Sequence, residues 1–222
     1  MQTKLVYVLT CAPEATYIEQ ALMAVYSARY WNQSAHITLI VDDKTNELLI
    51  VKRGEILDYI SEKIVVSFDA DKNMHYRSRW LKTKVRELVN GDLLFIDSDT
   101  IIQKSLDEID SCEYDIAMVP DEHSPIAEYP ESLIVSLKDS TSKLGYDILN
   151  EEFYYNSGVI YSKDSKISHE LWAKWHECWL QQVQQHLLQF VSRHLQKKEI
   201  ISLLSHHISR NINALWNLWE VN

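Results

Sequence analysis

Short apolar runs alternate with amphipathic stretches through the first hundred residues, and this alternation restricts the chain more than any other feature. Leu5-Val6-Tyr7-Val8-Leu9 lies in a run from Lys4 to Thr10 that is too short for a helix and rich in strand formers, and Cys11-Ala12-Pro13 breaks it. Tyr17 to Trp31 then carries Ile18, Leu22, Val25 and Tyr26 at helical spacing and exits at Asn32-Gln33-Ser34. His36 to Val41 reads as a second strand that ends in Asp42-Asp43, and Asn46 to Ile60 as a helix with Leu49, Ile56, Leu57 and Ile60 inward. Ile64 to Phe68 follows as a third strand, Tyr76 to Val89 as a basic helix stopping at Asn90-Gly91, and Asp92 to Asp97 as a central strand. Strand and helix in turn predict an α/β domain, with a mostly parallel, Rossmann-like sheet sandwiched between helices.

The second half departs from this rhythm. Tyr114 to Pro120 is another apolar run, Asp121 to Pro130 an acidic, proline-punctuated loop, and Ser132 to Gly145 helical in part. Phe153 to Tyr161 is an aromatic and β-branched run that contains Asn156-Ser157-Gly158. Polar atoms inside such a strand need partners, and Gly158 admits a bulky group close to the backbone; a β-bulge would account for the triplet equally well. From Val159 onward there is neither Gly nor Pro, and Trp172, Trp175 and Trp179 recur at helical spacing. The expected organisation is a ligand-binding domain over residues 1–168, with residues 169–222 forming a helical segment packed on it. Six of the nine histidines (His169, His176, His186, His194, His206 and His207) fall in that segment without metal-binding spacing, so they read as helix positions.

A net charge of −10 argues against a nucleic-acid partner and requires that any anionic substrate be met by a metal or a local basic cluster. Three cysteines, Cys11, Cys112 and Cys178, are odd in number and widely spaced, which predicts reduced thiols and a cytoplasmic protein. Residues 1–5 lack the apolar core of a secretion signal, and no apolar stretch approaches the ~20 residues needed to cross a bilayer.

The central strand carries the chemistry. Leu93-Leu94-Phe95-Ile96 runs into Asp97-Ser98-Asp99, which delivers two carboxylates to the carboxyl end of a strand, where open α/β sheets place their ligands. Carboxylates at alternate positions can face one way and share a hard cation, which relieves their repulsion. Asp97-Ser98-Asp99-Thr100 also matches the short motif of haloacid-dehalogenase-like phosphatases, in which Asp97 would be the phosphoryl nucleophile. That motif normally follows the first strand of its domain, and three strand-helix units precede Asp97 here.

Three segments in order, Tyr76-Arg77-Ser78-Arg79-Trp80-Leu81-Lys82-Thr83, Gly91 to Thr100, and Tyr155-Asn156-Ser157-Gly158-Val159, resemble family 8 glycosyltransferases of GT-A fold and their bacterial relatives. The resemblance covers roughly residues 4–180. It implies a nucleotide-sugar donor, in particular a UDP-sugar, a glycan or glycolipid acceptor, and retention at the anomeric carbon. It implies a divalent metal, manganese or else magnesium, with Asp97 and Asp99 as ligands. Asp97, Asp99 and Lys82 would then be the catalytic residues, and Thr10, Asp42, Arg79, Lys82, Ser98, Asn156 and Ser157 would bind the donor. The relatives' acidic pair after the Asn-Ser-Gly strand and their His/Gly/Lys-containing tail are not recognisable in this sequence, which leaves a donor-binding domain without efficient turnover as the alternative. Contact with a membrane surface is compatible with a glycolipid acceptor, a spanning segment is not expected, and neither is a nucleic-acid partner.

Overall fold

A computed structural model describes residues 1–51, 54–142 and 147–180. Six strands form one sheet: β1 (Lys4–Leu9), β2 (Ile37–Asp42), β3 (Glu62–Val66), β4 (Leu93–Ile96), β5 (Ile116–Pro120) and β6 (Tyr155–Ser162). Their order is β3-β2-β1-β4-β6-β5, with β1 to β4 parallel and β6 antiparallel to both β4 and β5. The four parallel strands are the predicted ones, each displaced by a residue or two. The helices are α1 (Tyr17–Trp31), α2 (Asp43–Val51), α3 (Met74–Leu88), α4 (Glu131–Ser142) and α5 (Lys166–Leu180).

Residues alternate between the two faces of the sheet, and each face has its own helices. Leu5, Tyr7 and Leu9 of β1 and Leu94 and Ile96 of β4 pack with Ile18, Ala21, Val25 and Ala28 of α1 and Leu49 of α2. Val6, Leu93 and Phe95 turn the other way, onto Leu81 and Val85 of α3 and Trp172 of α5. The mostly parallel sheet between helices is therefore observed, closed at one edge by an antiparallel pair.

Residues 46–60 do not form the single helix expected. Helix α2 starts earlier, at Asp43, because the Asp42 carboxylate accepts from the Thr45 N–H at 2.8 Å and so caps it. A separate 3-10 turn covers Gly54–Asp58 and still buries Ile56. Gly54 brings its backbone against the preceding turn, where a Cβ would come 3.0 Å from the Leu49 carbonyl oxygen.

Helix α5 seats its tryptophans against the sheet and α3. The Trp172 ring lies edge-on to Phe95 at 6.5 Å, and its Nε1 donates to Ser162 Oγ at 3.1 Å. His176 is buried between Trp80, 5.7 Å away, and Trp179, 5.6 Å away, and its Nδ1 meets Thr83 Oγ1 at 2.8 Å. His169 pairs with Asp164 at 2.8 Å. His186, His194, His206 and His207, with the rest of the segment 181–222, lie outside the described residues. No helix among the described residues is long and apolar enough to cross a membrane.

Burial pushes the His176 pKa down to about 4, with the Lys84 charge adding to burial and Glu87 opposing it. A depressed histidine pKa means the unfolded chain binds more protons between about pH 4 and pH 6.5, so the stabilisation is complete above about pH 6.5 and lost as pH falls toward 4. The stability advantage of the wild type over His176→Gln, read from urea midpoints, should therefore shrink with acidification over that window, by at most about 1.4 kcal/mol per pH unit. A difference that stays constant from pH 7 to pH 4.5 would show that His176 is not held neutral.

Candidate active site

A cleft of about 430 Å³ opens at the carboxyl ends of β1 and β4. Its walls are the end of β1 (Val8, Leu9, Thr10), the start of α1 (Tyr17, Gln20), one face of α3 (Met74, His75, Ser78, Arg79, Lys82) and the turn after β4 (Asp97, Ser98, Asp99). The α3 face follows from helical spacing, since residues 75, 78, 79 and 82 share one side. Asn73 fixes where the helix begins by accepting from the Tyr76 N–H at 2.8 Å.

Asp97 is held on three sides. Lys82 Nζ lies 2.8 Å from its Oδ1 and 3.0 Å from its Oδ2, and the same ammonium stands 5.2 Å from the centre of the Phe95 ring. The Asp97 N–H donates to the Gly158 carbonyl at 2.7 Å, which locks the turn to β6. A Cβ at position 158 would lie 2.9 Å from Asp97 Oδ2 and 2.9 Å from Asn156 Oδ1, so only glycine lets the carboxylate rest there. The group that approaches Gly158 is thus the carboxylate of the central strand.

The Asn156-Ser157-Gly158 triplet is a bulge that also backs the Asp97 carboxylate. Pro120 pairs with Tyr155 and Met118 with Ile160, so four residues of β6, 156–159, stand against one of β5, Val119. Within the bulge, Asn156 Oδ1 accepts from the Gly158 N–H at 2.6 Å and its Nδ2 donates to Asp121 Oδ1 at 3.1 Å. Asp121 was not singled out from the sequence, although it ends the apolar run of β5 as Asp42 ends β2 and Asp97 follows β4. It opens the acidic loop, whose next two residues, Glu122 and His123, adopt φ of 53° and 54°, a left-handed conformation rare for such residues. Tyr129 Oη donates to the Asp121 carbonyl at 2.7 Å, and burial first and the Asp121 charge second raise the pKa of Tyr154.

Two charged groups of the cleft have no such commitments. Asp99 is exposed and carries no ion pair among the described residues, and the same holds for Arg79. A magnesium- or manganese-type ion is commonly held by one or two protein carboxylates and completes its shell with water and substrate phosphates. Asp97 and Asp99 fit that demand. Among the described residues no group of three or more His, Cys, Asp or Glu could hold an ion without such help.

The structure places Thr10, Arg79, Lys82, Asp97, Ser98 and Asp99 together on the cleft. Asn156 stands beside them through Gly158, and Ser157 lies between those two on β6. Asp42 is placed elsewhere. It is fully buried, with Oδ1 on the Thr45 N–H and Oδ2 paired with the guanidinium of Arg77. Its carboxylate ends a strand, as the sequence shows, but turns to cap α2 and anchor the start of α3 instead of facing a ligand.

No protein-family model and no curated protein matches the sequence. Solved structures match the fold. One is the galactosyltransferase LgtC in complex with donor and acceptor sugar analogues, at a TM-score of 0.52 and 15% identity over 83% of this chain and 66% of that one. An active-site variant of LgtC gives 0.53 and 13%, over 96% of this chain and 84% of that one. The glycosyltransferase GlyE of Streptococcus pneumoniae TIGR4, in its apo form, gives 0.50 and 16%, over 91% and 45%. The chain has the GT-A glycosyltransferase fold.

In this GT-A fold the acid pair follows the fourth strand of the chain, not the first as in haloacid-dehalogenase-like phosphatases. Strand β4 is the fourth in chain order and lies inside the sheet, between β1 and β6. That alternative is set aside. For Asp42, a structural role predicts that Asp42→Ala, which leaves the Arg77 charge buried and unpaired, costs about 3–5 kcal/mol of stability in urea denaturation. A loss below about 1 kcal/mol, the scale of an exposed ion pair, would return Asp42 to the list of ligand contacts.

Proposed function

We propose that this chain is a glycosyltransferase that moves a sugar from a UDP-sugar to a hydroxyl of a glycan or glycolipid, with a divalent cation, manganese or else magnesium, at Asp97 and Asp99. The observation that carries this reading is the uncommitted pair of opposite charges on one cleft. The Asp99 carboxylate is available to a cation and the Arg79 guanidinium to phosphate oxygens.

Each residue then has a task. Thr10, Tyr17 and Gln20 offer hydroxyl and amide groups at the end of the cleft formed by β1 and α1, where a nucleoside would lie. Arg79 and Lys82 face the diphosphate, and negative charge gathers there as the bond between the anomeric carbon and the phosphate oxygen breaks. The cation, when bound, would supply Lewis-acid stabilisation of the same charge. The Asn156 amide, next to Asp97 at Gly158, and the Asp121 carboxylate that accepts from it are groups suited to sugar hydroxyls. For a retaining transfer, the acceptor oxygen bonds to the anomeric carbon from the face the phosphate leaves, and the departing phosphate takes the hydroxyl proton.

Calorimetry of UDP with manganese and with chelator tests this reading. Binding should be measurable with manganese and weak with chelator, and Asp99→Asn should abolish the difference; equal binding in both conditions would sink the proposal. Gly158→Ala supplies a second test that leaves every charge in place. Its Cβ must push the Asp97 carboxylate aside, and displacement of a ligand-binding group by a few tenths of an ångström to 1 Å predicts a loss of about tenfold or more in UDP affinity with manganese. A variant with unchanged melting temperature and unchanged affinity would show that the seat of Asp97 does not matter.

A further inference from the structure

The two carboxylates that the proposed function gives to the cation are not equivalent. Asp99 is exposed and carries no ion pair among the described residues, whereas Asp97 already has a positive charge on both of its oxygens. Lys82 is largely withdrawn from water, with its side chain 12% exposed, and it is flanked by the Phe95 ring on one side and Asp97 on the other. An ammonium in that setting is poorly hydrated and depends on the carboxylate for its counter-charge. The Asp97 N–H is bonded to the Gly158 carbonyl, and Oδ2 fills the space a Cβ at position 158 would need, 2.9 Å from where it would stand.

A small divalent ion arriving alone would meet one free carboxylate and one that is already neutralised. It would also be repelled by the ammonium, at an effective dielectric constant of about 20 for such partly buried pairs. A diphosphate changes both terms. Its oxygens complete the ion's coordination shell and offer Lys82 a second anion, so the ammonium can share or leave Asp97 without losing its counter-charge.

Resting on the glycosyltransferase reading, we infer that Lys82 is the seat-holder of the cation site: its ammonium occupies Asp97 in the ligand-free chain, so the cation enters only together with a nucleoside diphosphate. The device keeps an acidic protein from binding divalent ions unproductively. It also makes the affinities of ion and nucleotide reciprocal, each raising the other by the same factor.

The test is manganese binding followed by electron paramagnetic resonance, with manganese and UDP as the only probes, on the wild type, Lys82→Met, Lys82→Arg and Arg79→Gln. For manganese alone, Lys82→Met should bind at least about tenfold tighter than the wild type, the effect expected of freeing one ligand carboxylate. Lys82→Arg keeps the charge and should behave as the wild type. Arg79→Gln removes a charge from the same cleft but not from Asp97, and its effect should be several-fold smaller than that of Lys82→Met. Should Lys82→Met fail to fold by circular dichroism, Lys82→Gln takes its place.

If Lys82→Met binds manganese alone no tighter than the wild type, the inference is overturned. An Arg79→Gln effect as large as that of Lys82→Met would also overturn it, by showing the general field of the cleft at work. These two results leave the proposed function standing, provided the wild type captures manganese when UDP is present. If no variant captures manganese even with UDP, the cation itself is refuted and the inference falls with it.

Discussion

The Asp97 carboxylate is the point on which the site depends, because three elements that are distant in the chain converge on it. Strand β4 delivers it, the bulge of β6 makes room for it at Gly158, and α3 neutralises it through Lys82. The three conditions are not independent. A side chain at residue 158 would displace the carboxylate, and the Lys82 ammonium would then lose its counter-charge in a place largely screened from water. The antiparallel turn of the sheet at β4 and β6 is what makes this convergence possible. It sets the Ile96 end of β4 beside Val159, so that the residues just before Val159 face Asp97.

Helix α3 has to be held firmly if Lys82 and Arg79 are to stay aimed at the cleft, and the fold secures it at two places. At its start, Arg77 reaches across to the buried Asp42 carboxylate and donates to the Lys72 carbonyl at 2.6 Å. Farther along, Leu81 and Val85 enter the core, and Thr83 and Trp80 meet His176 of α5. Successive residues of one helix thus serve the core, the neighbouring helix and the cleft, which is why its sequence is strongly basic yet interrupted by Trp80, Leu81 and Val85. The tryptophans of α5 contribute to function indirectly. Each largely buried aromatic adds roughly 2–3 kcal/mol toward keeping α3 in place, and none lines the cleft.

Much of this was legible in the sequence, for reasons that differ by element. Periodicity located α1 at both ends and the four parallel strands to within a residue or two, since buried parallel strands are written as uninterrupted apolar runs. The same signal failed between 46 and 60, where apolar spacing persists through Gly54 although the backbone changes from an α-helix to a 3-10 turn. Asp42 exposes a deeper limit. Sequence shows that a carboxylate terminates a strand, but whether it faces a ligand or caps the next helix depends on Arg77, thirty-five residues away. Asp121 was missed for the complementary reason: it reaches the site only through Asn156, and the pairing of those two is set by a bulge whose extent no local pattern reveals.

The charge of the whole chain and the charge of its cleft point in different directions, and the difference decides what the site can accept. The protein carries a net charge of −10, which would repel a diphosphate at long range. Within the cleft the formally charged lining groups are Arg79 and Lys82 against Asp97 and Asp99, which cancel. An anion that has reached the mouth is therefore neither drawn in strongly nor expelled, and the balance is set by what accompanies it. A divalent cation would make the cleft net positive and favour the diphosphate; a sugar without phosphate would gain nothing from the change. Selectivity for a metal-bound diphosphate can thus come from a neutral balance of four side chains, without a basic surface that would attract anions indiscriminately.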